Sequence, residues 1–259
     1  MFASRFNRPL FGMVHLEPLP GAALYGGSME AVIDAALADA RALLEGGCDG
    51  MVFENFGDRP FFKDHVPPET VAAMTWVIAT VSSAVALPFG VNVLRNDAAS
   101  ALAIAAATGA DFIRINVHTG AMLTDQGLIE GKAAETLRRR AALAPNVMIF
   151  ADHMVKHATP LADVDEVQAA KDLHLRGLAD AIIVSGRETG AEPDAARLAR
   201  VRKAVDAPLL VGSGLTETNA ASFASADGAI AGTSVKRDGR VDAARVARLV
   251  AAFRARGGR

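Results

Sequence analysis

The feature that most constrains this chain is a repeated alternation. Eight short apolar runs are separated by longer, alanine-rich stretches: FGMVH (11–15), GMVFEN (50–55), FGVNVL (89–94), FIRINV (112–117), VMIFAD (147–152), AIIVS (181–185), LLVGS (209–213) and GAIAG (228–232). Runs of this length and branched content read as buried strands. The intervening segments predict helices at roughly 29–45, 70–86, 97–108, 131–143, 163–176, 194–205, 217–224 and 242–255. Eight βα units in 259 residues, with no linker or low-complexity stretch between them, predict a single-domain α/β chain folded as a (β/α)₈ TIM barrel. A doubly wound open sheet would carry a GxGxxG turn after its first strand, where this chain reads HLEPLPG.

In such a barrel the C-terminal strand ends carry chemistry and the opposite end carries stability. Cys48 and Asp49, in the GGCDG turn entering the second strand, therefore fall on the stability end, and Cys48 is not read as a nucleophile. Being the only cysteine, it excludes an intrachain disulfide, a zinc ribbon and a CxxC pair, and it suits a reducing, cytoplasmic setting. With 27 basic against 29 acidic residues and 5% aromatics, the chain lacks the cationic and stacking surface of a nucleic-acid binder. No secretory signal is read at the N-terminus. The uncharged run from Val71 to Leu94 is long enough to raise the question of a membrane span. Pro88 and Gly90 would break it, so a mostly buried helix followed by a core strand is expected, with no integral membrane association.

Strand alternation sends every second side chain to one face. In FIRINV, Ile113 and Ile115 should meet the helices while Arg114 and Asn116 point into the barrel; the same logic turns Asn92 and Glu54 inward. A buried guanidinium must find partners. Glu54 and Arg114, on alternate strands, are expected to share a layer as an ion pair, with His15, Asn92 and Asp152 as further polar strand ends. After the fifth strand, ADHMVKHATP gathers Asp152, His153, Lys156 and His157. Asp152 or His153 could act as a general base, and Lys156 could stabilise negative charge or, desolvated, form a Schiff base. For a divalent metal, His15 with Glu17 or Asp152 with His153 could supply ligands, but no spacing is diagnostic, so no metal or other cofactor is assigned.

The last two strands close with VGSGLTETN and AGTSVKRDG. Gly212 and Gly214 allow close backbone approach, and a helix start capped by Thr216 would expose free N–H groups. Ser213 lies between the glycines, and Gly232, Thr233 and Ser234 form a second set. Together they predict a phosphate site. SGRETG (185–190) could cover its edge through Ser185, Gly186 and Thr189, and Lys236 could add charge.

The stretches GMVHLEPLPG, VFENFGDRPF, VNVLRND, FIRINV, DQGLIEG, ADHMVKHATPL, VSGRETG, VGSGLTETN and DGAIAGTSVKRDG closely resemble the BtpA/SgcQ family, over about residues 10–245. The closing GSG loop resembles that of the ribulose-phosphate-binding barrels. The resemblance implies a (β/α)₈ fold with a polar pocket. It carries over His15, Glu54, Asn55, Asp58, Asn92, Arg95, Asn96, Asp97, Arg114, Asn116, Asp152, Lys156, His157, Ser185, Gly186, Gly212, Ser213, Gly214, Thr233, Ser234 and Lys236 as motif residues. His153 departs from the pattern, which argues against a catalytic role for it. The family name is linked to photosystem I biogenesis, while other relatives occur in settings that suggest carbohydrate or nucleoside metabolism. Two expectations follow: an enzyme acting on a phosphorylated small molecule, as an isomerase, epimerase, lyase or glycosidic hydrolase, or a non-catalytic assembly factor that keeps a ligand pocket. A homo-oligomer is expected from the habit of such barrels.

Overall fold

A computed structural model describes residues 2–186 and 194–255. Eight parallel strands close into a barrel: β1 (Leu10–His15), β2 (Gly50–Glu54), β3 (Phe89–Asn92), β4 (Phe112–Ile115), β5 (Met148–His153), β6 (Ala181–Ser185), β7 (Leu209–Gly212) and β8 (Gly228–Ala231), with β8 pairing back onto β1. The chain is thus the expected single (β/α)₈ barrel.

Alternation sorts the residues as predicted. Met51, Phe53, Val91, Ile113 and Ile115 join the outer core between strands and helices. Phe11, Val52, Phe112, Met148, Phe150, Ile183 and Leu210 fill the interior. The Phe112 and Phe150 rings stack at 4.1 Å, and Phe11 meets Phe112 edge-on at 5.0 Å. Gly90 makes this possible, since a β-carbon there would come within 2.2 Å of the Phe112 ring. The short N-terminal helix Phe2–Arg5 adds Phe2 and Phe6 to the same aromatic plug.

The helix Met29–Glu45 buries Val32, Ala36, Ala40 and Leu43, spaced to one face, and is capped by Ser28 accepting from the Ala31 N–H. The segment expected to be mostly buried is a layer helix, Pro68–Ala84. It buries Ala73, Met74, Val77, Ile78 and Val81 and leaves Trp76 exposed. Among the described residues no helix is long and apolar enough to cross a membrane.

Three expectations are corrected. The helix predicted over 217–224 is a turn followed by one 3-10 turn, Ala220–Phe223. Side-chain bonds from Asn219 to the Thr216 N–H and the Gly214 carbonyl fold that loop onto itself. The helix predicted over 163–176 begins at Glu166 and widens into a π-helical turn at Asp172–Arg176. Finally, a small antiparallel sheet of Ala121–Thr124, Gly127–Glu130 and Ala158–Pro160 was not foreseen; Met122 and Ile129 pack inward with Val117 and Val155.

At the N-terminal end, an aspartate stands immediately before each even strand. Asp49, Asp111, Asp180 and Asp227 accept from the N–H groups of Leu10, Phe89, Ile149 and Leu209 at 2.8, 3.1, 2.8 and 2.8 Å. Each returns its own N–H to the carbonyl of the same residue. Arg254, Arg5, Arg140 and Arg202 close the outer side. Cys48 sits buried at this end, its thiol pushed up to about 12, chiefly by burial.

Candidate active site at the C-terminal mouth

Strand register brings the polar ends together. His15 is level with Glu54, and Glu54 with Asn92, in one row across β1, β2 and β3. Facing them, Arg114 is fully enclosed. Its principal partner is Asp152 on the adjacent strand β5, with contacts of 3.0, 3.1 and 3.3 Å, and not Glu54, which stands 4.0 Å away. The alternate-strand argument overlooked that an arginine long enough to reach across the barrel also reaches its neighbour. Burial lowers the Arg114 pKa, but Asp152 and Glu54 outweigh it and hold the pKa above its ordinary value.

Asp152 is committed further, because the Asn116 amide donates to it at 2.7 Å. The Asn92 amide donates to the Arg114 carbonyl and to Asn116 Oδ1, while its own Oδ1 has no partner among the described residues. Asp152 is thereby held as a counter-ion. Glu54 is the freer carboxylate, 3.5 Å from His15 Nε2. His15 stacks on Phe56 at 4.4 Å, and its pKa lies well below the ordinary range. Burial is the main cause, reinforced by Lys236, Lys156 and Arg114. Lowering of this kind favours a neutral imidazole beside a carboxylate, suited to donating a hydrogen bond more than to accepting a proton.

Lys156 and Lys236 flank this pair. Burial is the chief reason both pKa values are lowered, and among the described residues neither ammonium is closed into an ion pair. The turn carrying Lys156 is fixed by buried Arg95, which donates to the Lys156 carbonyl at 2.8 Å. A cavity of about 450 Å³ opens here, lined by the polar Glu54, Asn116 and Lys156, by the apolar Phe56, Phe61 and Leu94, and by Arg59, Arg95, Asp125 and His157.

His153 does not belong to the site. As the residue after Asp152 it points the other way, into the helical layer. There its ring meets the Glu166 carbonyl and its pKa falls to about 4, from burial first and Arg197 second. Other motif residues brace loops. Asn55 accepts from the Leu94 N–H and donates to Asp58, Asn96 bonds both backbone groups of Val117, and Asp97 caps the helix Ala98–Thr108. Phe56, Phe61 and Asp125 line the cavity without having been singled out as site residues. Their only sequence signal is position, in loops that follow strand ends.

The mouth around β6, β7 and β8 is built of small residues. Gly212 is level with Ser185, whose buried hydroxyl lacks a partner among the described residues, and buried Gly186 follows it. Thr189 lies outside the described residues. Ser213 and Gly214 both take the left-handed conformation, at φ 68°. After β8, Thr233–Val235 forms a single 3-10 turn, and a β-carbon on Gly232 would lie 3.7 Å from the His15 ring. Neither loop ends in an α-helix N-terminus, so an anion here would meet loop N–H groups, hydroxyls and Lys236 and no helix dipole. Ser234 lines a separate cavity with Thr216, Arg245 and Arg248, beside the last helix, Ala243–Arg254. Among the described residues no cluster of three or more histidine, cysteine or carboxylate ligands could hold a metal ion.

A sequence profile described as the BtpA family matches residues 6–255. The chain belongs to the BtpA family. Photosystem I biogenesis protein BtpA of Synechocystis is 48% identical over 240 residues, covering 92% of this chain and 84% of that one. An uncharacterized protein of Thermococcus kodakarensis is also 48% identical, over 237 residues, covering 91% of this chain and 90% of its own length. Among solved structures, thiamine phosphate pyrophosphorylase from Pyrococcus furiosus superposes with a TM-score of 0.64 at 13% identity, covering 98% of this chain and 100% of that one. N-(5'-phosphoribosyl)anthranilate isomerase from the same organism gives 0.60 at 12%, covering 96% and 99%. At such identities the likeness is one of fold, and it places this BtpA-family chain among the (β/α)₈ barrels.

Proposed function

We propose that this BtpA-family barrel is an enzyme acting on a phosphorylated small molecule, a sugar phosphate or a nucleotide-like compound. The observation that carries the reading is the cationic capacity at the mouth, which among the described residues is felt by carboxylates but closed into no ion pair at Lys156 or Lys236. Lys156 and Lys236, both partly buried, flank a neutral His15 and the free edge of Glu54, while Arg114 is already matched by Asp152. Desolvated cations without partners are unfavourable unless an anion completes them. The two structural neighbours described above are named for phosphorylated compounds, which agrees with an anion-first ligand.

In this reading the phosphate rests on Gly212–Gly214 and Gly232–Thr233, within reach of Ser185 and Lys236. The reacting carbon lies over Glu54 and His15. Glu54 takes a proton from the reacting carbon and gives it back at the end of the step, neutral His15 donates a hydrogen bond to the adjacent oxygen, and Lys156 with Arg114 stabilises the negative charge that develops. That inventory suits proton transfer beside a carbonyl, as in isomerases, epimerases and lyases, and equally suits hydrolysis at a glycosidic carbon.

A thermal-shift screen tests it. Ribose 5-phosphate at about a hundred times its dissociation constant should stabilise the fold by about 2.7 kcal/mol, and ribose should not. Lys236→Gln and Lys156→Gln should each remove most of that shift. A flat response to every phosphorylated compound would favour the second reading, supported by the name of the Synechocystis relative, of a biogenesis factor that retains the pocket.

A further inference from the structure

The cavity beside the proposed reacting centre has walls of a different character from the phosphate loops, and the two are joined through one residue. At the end of β1, which pairs with both β8 and β2, His15 has Gly232 against its ring on one side and Phe56 stacked on it at 4.4 Å on the other. A ligand held by its phosphate at β8 and crossing His15 therefore enters the space bounded by Phe56, Phe61 and Leu94. The two rings stand 6.5 Å apart at 47°, and the Arg59 guanidinium lies 5.4 Å from the Phe56 centroid. Phe56 thus already receives one planar group by stacking and a second by cation–π attraction. Asp125 also lines this space and offers a carboxylate to the polar edge of a guest, whereas the Asn116 amide is already bonded to Asp152 and Asn92.

With the faces of Phe56 already taken by His15 and Arg59, a purely aliphatic phosphosugar would leave the Phe61 ring and Leu94 uncovered. We infer that the cavity bounded by Phe56, Phe61 and Leu94 is a subsite for a planar heterocycle, which makes the ligand a nucleoside monophosphate or a close analogue. This rests on the phosphate reading above and narrows it. The phosphate sits on the β7 and β8 loops, the ribose crosses His15 and Glu54, and the base occupies the end bounded by Phe61 and Leu94 with Asp125 at its edge. About 450 Å³ is ample for a base with part of its sugar.

Calorimetric titration of the full chain with ribose 5-phosphate and with the adenosine, guanosine, cytidine and uridine 5'-monophosphates decides the matter. At least one nucleotide should bind about tenfold or more tightly than ribose 5-phosphate, the scale expected of a stacked base. Phe61→Ala should abolish that advantage and leave ribose 5-phosphate binding within about twofold. Should Phe61→Ala fail to fold by circular dichroism, Phe61→Leu, which keeps apolar volume and loses the ring, should lower the advantage in the same direction. If ribose 5-phosphate binds as tightly as every nucleotide, or if the nucleotide advantage survives at Phe61, the heterocycle subsite is overturned while the phosphate reading stands. If neither ribose 5-phosphate nor any nucleotide binds, the phosphate reading fails and takes this inference with it.

Discussion

At the N-terminal end of the barrel, Asp49, Asp111, Asp180 and Asp227 each take a strand N–H and an arginine, and the arrangement repeats four times around the ring. At the C-terminal end, carboxylates and cations of the same kinds meet without repetition. Asp152 is saturated, Glu54 is held at 3.5 and 4.0 Å by two weak contacts, Lys156 and Lys236 are in no ion pair among the described residues, and Asn92 and Ser185 keep unpartnered buried atoms. Sequence type does not separate the two ends; completeness of pairing does. A fold spends its satisfied polar contacts where it needs rigidity and leaves them unfinished where a ligand is to finish them.

The sharpest way to break this contrast is at Asp152, a residue at the mouth that is paired as thoroughly as those at the base. Asp152→Ala leaves the Arg114 guanidinium buried beside Glu54 alone, and removing one partner of a buried pair typically costs about 3–5 kcal/mol. The urea midpoint should fall accordingly. A change under about 1 kcal/mol would mean that Glu54 swings in to replace it, which would make the mouth adaptable where we describe it as preset.

The second test concerns acid. His153 is buried, with a folded pKa of about 4 against 6.5 when unfolded. The unfolded chain therefore binds the extra proton first, and the stability present above about pH 6.5 is lost as pH falls toward 4. A shift of this size corresponds to about 3 kcal/mol. Urea melts at pH 7 and pH 4.5 should show the loss, and His153→Gln should reduce it, leaving the part due to His15 and His118, whose pKa values burial also lowers. Ligand binding at pH 7 should be unchanged, because His153 faces the helical layer.

Those two neighbours, Asp152 and His153, also show what the sequence could and could not reveal. Period-two alternation separated the interior from the outer core on every strand, and it put Arg114, Asn92 and Glu54 inside. It could not choose between Asp152 and Glu54 as the partner of Arg114, because that depends on side-chain reach across a closed ring and not on spacing along the chain. The four basal aspartates were legible, one before each even strand in CDG, ADF, ADA and ADG, yet only Asp49 drew notice, since a single residue at long intervals leaves no local pattern. The helix expected after β7 failed for a local reason. Asn219 turns back to Gly214 and Thr216 and uses the groups that would have started it. Phe56 and Phe61 carried no periodicity at all, and only the closed barrel brings His15 against Phe56.

A third test probes the base. Asp111→Ala strands the N–H of Phe89 at the start of β3 and should cost about 1–3 kcal/mol, with similar values for Asp49, Asp180 and Asp227. Combining changes at Asp111 and Asp227 should give nearly additive losses, since the clamps share no partner. None of the four should alter ligand affinity. A basal variant that weakens ribose 5-phosphate binding as strongly as it weakens the fold would erase the distinction between the ends.

The smallest expected effect on stability is at Glu54, and it decides the most. Its contacts to His15 and Arg114 lie at the outer limit of ion pairing, and Arg114 keeps Asp152 whatever happens to it. Glu54→Gln preserves shape and amide hydrogen bonding, so the unfolding free energy should move by less than about 1 kcal/mol. With a substrate in hand, turnover should drop by about a hundredfold or more, the usual scale for losing a proton-transfer group. Ligand affinity should hold or rise, because an amide beside Lys156 and Lys236 no longer competes with the incoming phosphate for their charge. If Glu54→Gln instead destabilises the chain as much as Asp152→Ala does, the carboxylate belongs to the packing of the barrel, and the mouth is built like the base.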